Sequence, residues 1–475
     1  MKLNSIYLPL ALAAMFLVFS GCEDMFETEP PEEIDPADAQ SSIDGFEALA
    51  ASMHYRNRNN NRYGNNYSVY PDILADNTQG GPVTSGRGDS QLINEEGSNM
   101  GGWTALYNHI NEANLIIHNI DDADDAEARQ DERDNLVAEA YFNRALAYFD
   151  LSRVYAYEPH HPMSDEWDRG VVIRTEPTEN IEDADPDDPL ERSSNQEVWD
   201  LIVEDIQTAI DKFETIEDRG TYYANYEAAV MFMAQAKLYR AEWDRAAFWA
   251  QEALDVASAA GVELVDEDTY SDNIFEEAPN PESIYEINID PDTESLGSND
   301  ALDQWLMPGA WFDIVASDNL MALFDEDDVR LEITDEEEDE GDIYPYFEKY
   351  TGSVGTHTDN IPVMRIAELY LILAEAEVEN GDLNAGLDAL NQLRNARGLD
   401  DFETSSSSTA IDEILDERRR ELAFEGHRFF DLKRRAMDVT KHAGEPTVPW
   451  DDYRIINDIP EGEVDDHGLQ QNPGY

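Results

Sequence analysis

Apolar positions recur at helical spacing through several long segments. Between Glu132 and Tyr155, Val137, Tyr141, Ala145, Tyr148, Leu151 and Tyr155 step by 4, 4, 3, 3 and 4 residues, which predicts a helix with one sustained apolar face. Further helices are expected from about residue 42 to His54, with Ser41, Ser42 and Asp44 as capping residues and Phe46, Leu49 and Met53 on one face, and over 102–120 and 196–213. Near the end, Ile411 to Arg434 reads IDEILDERRRELAFEGHRFFDLKR. Ile414, Leu415, Leu422 and Phe424 lie close to helical spacing among alternating Glu and Arg, and Gly426 breaks the helix before Phe429, Phe430 and Leu432. Such a stretch reads as an ion-paired wall of the fold.

Two segments resemble one another. Ala236, Trp243, Asp244 and Ala247, within 225–260, match Ala374, Gly381, Asp382 and Ala385, within 362–397, at a constant offset of 138 residues. Each places small residues where antiparallel helices would cross, a degenerate tetratricopeptide pattern in which stacked pairs share a continuous core.

The intervening regions lack this periodicity. Residues 56–101 mix Asn, Gly, Arg and Tyr, and with 157–194 and 262–350 they are expected to form long loops, where binding residues collect on compact scaffolds. One strand is expected, Ser283 to Ile289, by its alternation. The acidic run Asp335 to Asp342 reads as a solvated loop without the spacing of a calcium-binding EF-hand. Gly81, Gly86 and Gly88 do not make a phosphate loop, because the Lys and Ser/Thr it requires are missing.

Charge changes the picture of the surface. The formal net charge is -75, and the only lysines are Lys2, Lys212, Lys237, Lys349, Lys433 and Lys441, so the basic residues are mostly arginine. Self-repulsion on this scale opposes compaction, and salt near ~1 M would screen it over about 3 Å. A halophilic source is expected, and nucleic acid is excluded as a partner.

Residues 1–21 carry Lys2 and an apolar run from Ile6 to Phe19, too short to span a membrane and suited to a signal peptide. Phe19-Ser20-Gly21-Cys22 is similar to a bacterial lipobox, with Cys22, the only cysteine, as the lipidated residue. Residues 22–40, rich in acid and proline, read as a tether, and 41–475 as a single domain. Acidic residues directly after the cysteine resemble the surface-export signal of Bacteroidota lipoproteins.

These pieces fall in the order of a known family. Cys22 is followed by Trp103, Tyr107, Ile110 and Asn114, then by Ala138-Glu139-Ala140 with Arg144-Ala145 and Tyr148-Phe149. Pro362-Val363-Met364-Arg365 leads into Ala374-Glu375-Ala376, followed by Asn391, Arg394 and Arg397-Gly398-Leu399. Glu417-Arg418-Arg419, Glu421-Leu422, Glu425-Gly426, Asp431-Leu432 and the terminal Gln471 to Tyr475 complete the set. Over nearly the whole mature length the chain resembles the SusD/RagB family. The resemblance implies a mainly α fold of tetratricopeptide-like pairs (mainly 41–55, 102–156, 195–260 and 362–440) carrying ligand-face loops with a little β. It also implies a lipid-anchored outer-membrane protein, exposed at the cell surface, that captures a nutrient, most often an oligosaccharide, for a SusC-like TonB-dependent transporter. Peptide-binding members of the same family and a protein-interaction scaffold without a small ligand are the alternatives.

Sugar binding without catalysis requires aromatic faces for the apolar side of a pyranose and planar polar groups for its hydroxyls. The irregular regions offer Asp76, Asn77, Arg87, Asn94, Trp305 and Trp311 as ligand-binding candidates, with Tyr63, Tyr67 and Tyr70 behind them. The two tryptophans also suit loop anchoring, and Asp76 and Asn77 suit a turn cap. A glycoside hydrolase would need a carboxylate pair across a cleft, which 106 acidic residues supply by chance anywhere. No HExxH or GxSxG motif occurs, and His160-His161 reads as part of a loop. No catalytic residue, metal or cofactor is expected.

Overall fold

The computed structural model describes residues 40–475 apart from 99, 162–163, 165, 180–189, 218, 271–273, 277, 298–300, 310, 354 and 442–446. The apolar leader, Cys22 and the tether up to residue 39 lie outside the described residues.

The fold is mainly α. Helix α1 (Ile43–Asn57) starts where the Ser42 hydroxyl accepts the Gly45 amide, and it buries Ile43, Phe46, Ala50 and Met53. Helices α2 (Trp103–Asn119), α3 (Gln130–Tyr155) and α4 (Asn195–Phe213) pack side by side, α4 beginning in a Ser194/Glu197 capping box. Helices α5 (Tyr226–Tyr239) and α6 (Trp243–Ala259) form one pair, and α7 (Ile366–Asn380) and α8 (Leu383–Ala396) the other. Helix α6 lies against α7, so the two pairs stack into one core, as the 138-residue offset predicts. The crossing within the second pair needs Gly386: a Cβ there would lie 2.7 Å from the Ala374 carbonyl oxygen. Helices α9 (Ser407–Glu421) and α10 (Arg428–Arg434) close the scaffold, separated by Gly426 at φ +84°.

Helix α3 differs from its expected amphipathic form. Every residue from Phe142 to Tyr155 is buried, polar Asn143, Arg144, Asp150, Ser152 and Arg153 included. The helix is enclosed because neighbours cover its whole circumference, and its charges survive burial by pairing. Arg144 forks onto Asp205 at 2.7 and 2.8 Å, and Arg62 donates to Asp150 at 2.9 Å.

The loops hold more β structure than their sequences suggest. Strand β1 (Thr78–Gly80) pairs antiparallel with β3 (Ile314–Ala316), and β2 (Ser283–Ile287) with β6 (Ile361–Arg365). Strand β2 occupies the expected place, but all five of its residues are buried, so both faces are covered. Pro362 to Arg365 form strand β6 ahead of α7 rather than the first turn of a helix. The acidic run is a further correction. Strands β4 (Thr334–Asp339) and β5 (Asp342–Phe347) make a hairpin around Glu340 and Gly341, both at positive φ. The exposed acid hides its period of two, while Tyr346 on β5 anchors the hairpin edge-on to Phe312 at 5.6 Å.

Candidate functional site

The β1–β3 ladder brings together two loops more than two hundred residues apart in sequence. The Gly81 amide donates to the Asp313 carbonyl at 2.6 Å, and the Asp313 carboxylate accepts from the Ser85 amide and hydroxyl at 2.6 and 2.9 Å. These bonds seat residues 81–88 beside the short helix Leu302–Leu306 and Trp311. The Arg87 guanidinium lies 4.1 Å from the centre of the Trp311 ring and 5.2 Å from that of Trp305. Tyr70 meets Trp305 edge to face at 5.9 Å. Trp305 is buried and acts as a back wall, whereas Trp311, Arg87 and Tyr70 are half-buried. The helix carrying Trp305 is held by Asp303, whose carboxylate contacts the His357 Nδ1 at 3.0 and 3.1 Å.

Three of the six expected residues, Arg87, Trp305 and Trp311, therefore converge with Tyr70. The other three are engaged inside the scaffold. Asp76 takes a two-pronged bond from Arg428 at 2.7 and 2.9 Å, and Arg419 stands 3.7 Å away. Burial pushes its carboxyl up, but the Arg428 hydrogen bonds and charge, with Arg419, outweigh this and hold it below the ordinary value. Asn77, fully buried, donates to Asp72 at 2.6 Å and accepts from Arg419 at 2.7 Å. Asn94 donates to the Leu74 carbonyl at 3.0 Å from a left-handed backbone position. Tyr63 and Tyr67 are buried as well, Tyr63 against Asp150 and Tyr67 against the Gly101 carbonyl.

Sequence reasoning missed Asp72, Asp313 and His357, which hold the loops in place. Asp72 ties the first loop to the Gly426 bend by accepting from the Phe424 amide at 3.1 Å and the Gly426 amide at 3.4 Å. Burial pushes its carboxyl up to about 6, against the lowering effect of Asn77 and those amides. No local signal marks their loop-tying role, because Asp72 reaches the Gly426 bend, Asp313 reaches Ser85 and His357 reaches Asp303 from distant segments.

Helices α9 and α10 form the ion-paired wall beneath. Glu421 accepts from Arg330 at 3.2 Å, from Arg365 at 3.1 Å and from Arg397 at 2.9 and 3.0 Å. Glu425 bridges Lys349 and Arg365, and Asp431 bridges Arg418 and Arg434. Burial alone would raise these carboxyls, yet Arg330 and Arg420 hold Glu417 down at about 2. His160 and His161 point their Nε2 atoms at the Arg434 and Lys433 carbonyls, at 3.2 and 3.0 Å, and so finish α10. Among the described residues no group of three or more His, Cys, Asp or Glu could hold a metal ion.

A helical-repeat scaffold that lifts an aromatic and guanidinium cluster on long loops defines a ligand-binding protein built on stacked helix pairs. The chain belongs to the SusD family. The SusD family profile matches residues 334–475, and a second, SusD-like profile described as starch-binding and associating with the outer membrane matches 24–238. The SusD-like protein P38 of Formosa agariphila is 25% identical over 91% of this chain and 92% of its own length. A SusD-like protein of Bacteroides ovatus is 22% identical over 89% of this chain and 81% of its own length. Among solved structures, a SusD superfamily protein from Bacteroides thetaiotaomicron superposes with a TM-score of 0.80 at 24% identity, covering 91% of this chain and 100% of the other. A SusD-like carbohydrate binding protein from Bacteroides vulgatus has the same fold, with a TM-score of 0.77 at 21% identity, covering 90% of this chain and 97% of the other. Among the described residues, no helix is long and apolar enough to cross a membrane.

Proposed function

We propose that this protein is a surface lipoprotein, anchored in the outer membrane through Cys22, that captures an oligosaccharide and delivers it to a SusC-like TonB-dependent transporter. The observation that carries the reading is the Tyr70, Trp305, Trp311 and Arg87 cluster. Indole faces suit the apolar side of a pyranose, while a guanidinium stacked on them presents its N–H donors to the sugar hydroxyls. The family's starch-binding description and its outer-membrane association support the ligand class and the location. Arg87, Trp305 and Trp311 are the contact residues, and Asp76, Asn77 and Asn94 act by holding their loops. The protein binds without catalysis.

Isothermal titration at molar KCl against oligosaccharide and peptide panels, with a product assay on the same mixtures, tests this. Saturable oligosaccharide binding without turnover, weakened in Trp311→Ala at unchanged melting temperature, is the expected result. Turnover would make the protein an enzyme. Binding confined to peptides would move it to another ligand class, and no binding at all would favour a scaffold.

A further inference from the structure

A cavity of about 380 Å³ opens on the face of α1 and shares no lining residue with the Trp305–Trp311 cluster. We propose that it binds a neutral pyranose, one or two sugar units in size, independently of that cluster.

Its floor is one side of α1: Ala50 and Ala51 lie at helical spacing from His54, Tyr55 and Arg58, so small residues leave room between larger ones. The volume falls within the usual range of small-ligand sites, about 300 to 1,000 Å³. Two tyrosines supply flat faces. Tyr55 is 54% exposed, the largest exposure among the exposed large apolar side chains, and the Arg58 guanidinium 4.4 Å from its ring centre helps fix it. Arg58 is itself paired to Glu294. Tyr223 stands edge-on to His54 at 5.5 Å, with Arg219 4.0 Å over its ring.

The polar groups are paired before any ligand arrives. Glu139, fully buried on α3, accepts from Arg219 at 2.6 Å and meets the His54 Nε2 at 3.4 Å. Because both guanidiniums already face carboxylates, and the third lining carboxylate, Glu47, is paired to Arg129, the cavity demands no counter-charge from its occupant. A chain of net charge -75 repels anions at long range, and a simple cation would compete with the salt that such a surface needs. What remains is a ligand that meets donors and acceptors in equal measure and has an apolar face for tyrosine. A neutral sugar does both.

Saturation-transfer NMR with glucose, galactose and mannose on the whole protein, at molar KCl, tests the proposal. The variants are Tyr55→Ala, Ala51→Trp and, for the other site, Trp311→Ala. Tyr55 and Ala51 are exposed, so neither change disturbs the core. We expect transfer to at least one of these sugars to persist in Trp311→Ala, to weaken about threefold to tenfold in affinity in Tyr55→Ala, and to vanish from this site when Ala51→Trp fills it in the Trp311→Ala background. Transfer abolished by Trp311→Ala alone would overturn the second site and leave the proposed function standing. Transfer unaffected by filling the cavity would also overturn it, and no transfer to any of the three would overturn it for pyranoses altogether.

Discussion

Replacing Arg428 with Ala separates a framework role for Asp76 from a ligand role. In the structure Arg428 gives Asp76 two charge-assisted bonds, at 2.7 and 2.9 Å, and both residues are 8% exposed. The variant leaves a buried carboxylate with only Arg419, 3.7 Å away, as its nearest cation. Breaking a buried pair by removing one partner typically costs about 3–5 kcal/mol. The remaining Arg419 charge argues for the low end, about 3 kcal/mol. An unfolding entropy of roughly 2.1 cal/mol/K per residue makes this a drop of about 3–4 °C in melting temperature for a chain of this size. The pH dependence carries a sign. The Asp76 carboxyl is depressed below its ordinary 3.8 in the native protein, so its stabilising contribution is present above that value and is lost as pH falls through the lower native one. Without Arg428, burial raises the same carboxyl and the pair's contribution is gone. The gap between native protein and variant should therefore be widest at neutral pH and narrow as pH drops through the carboxylate range. Melts followed by circular dichroism at several pH values, with oligosaccharide titrations in parallel, measure both. An unchanged melting temperature with lost binding would refute the framework assignment and return Asp76 and Arg428 to the ligand site.

Acid should unfold the wall cooperatively, because Glu417 and Glu158, which pairs with Lys433 of α10, are both held at about 2 against an ordinary 4.5. Their contribution is complete above 4.5 and disappears as pH falls towards about 2, which a pH series of urea melts would show as a steep loss of stability. Gly426→Ala should cost more than the roughly 1 kcal/mol of an ordinary Gly-to-Ala mismatch, since Gly426 sits at φ +84° and its Cβ would run into the Tyr67 carbonyl. A soluble variant with an unchanged melting temperature would contradict that contact. Among the described residues the buried basic side chains are matched by a similar number of buried Asp and Glu, so the acidic excess of the sequence stays at the surface. Melting temperature should rise from dilute to molar KCl, and a flat or falling curve would remove the halophilic reading.

Local pattern determined the helix pairs, their 138-residue offset, the cap at Ser42 and the break at Gly426, because helical period, capping chemistry and left-handed glycine are properties of neighbouring residues. The composition of residues 56–101 and the tryptophans beyond residue 300 likewise pointed to Arg87, Trp305 and Trp311. Tertiary structure alone decided that these three meet, through a β1–β3 ladder and an Asp313 bond that join segments far apart in sequence. It also decided which polar loop residues face inward: Asp76 and Asn77 look like Arg87 as sequence, but Arg419 and Arg428 reach them from the far end of the chain. Long-range packing likewise encloses α3 on every side and anchors the acidic hairpin through Tyr346 on Phe312. Period and composition describe what a segment can present to its surroundings. The identity of those surroundings is a property of distant residues, and it fixes whether a charge becomes framework or stays available to a ligand.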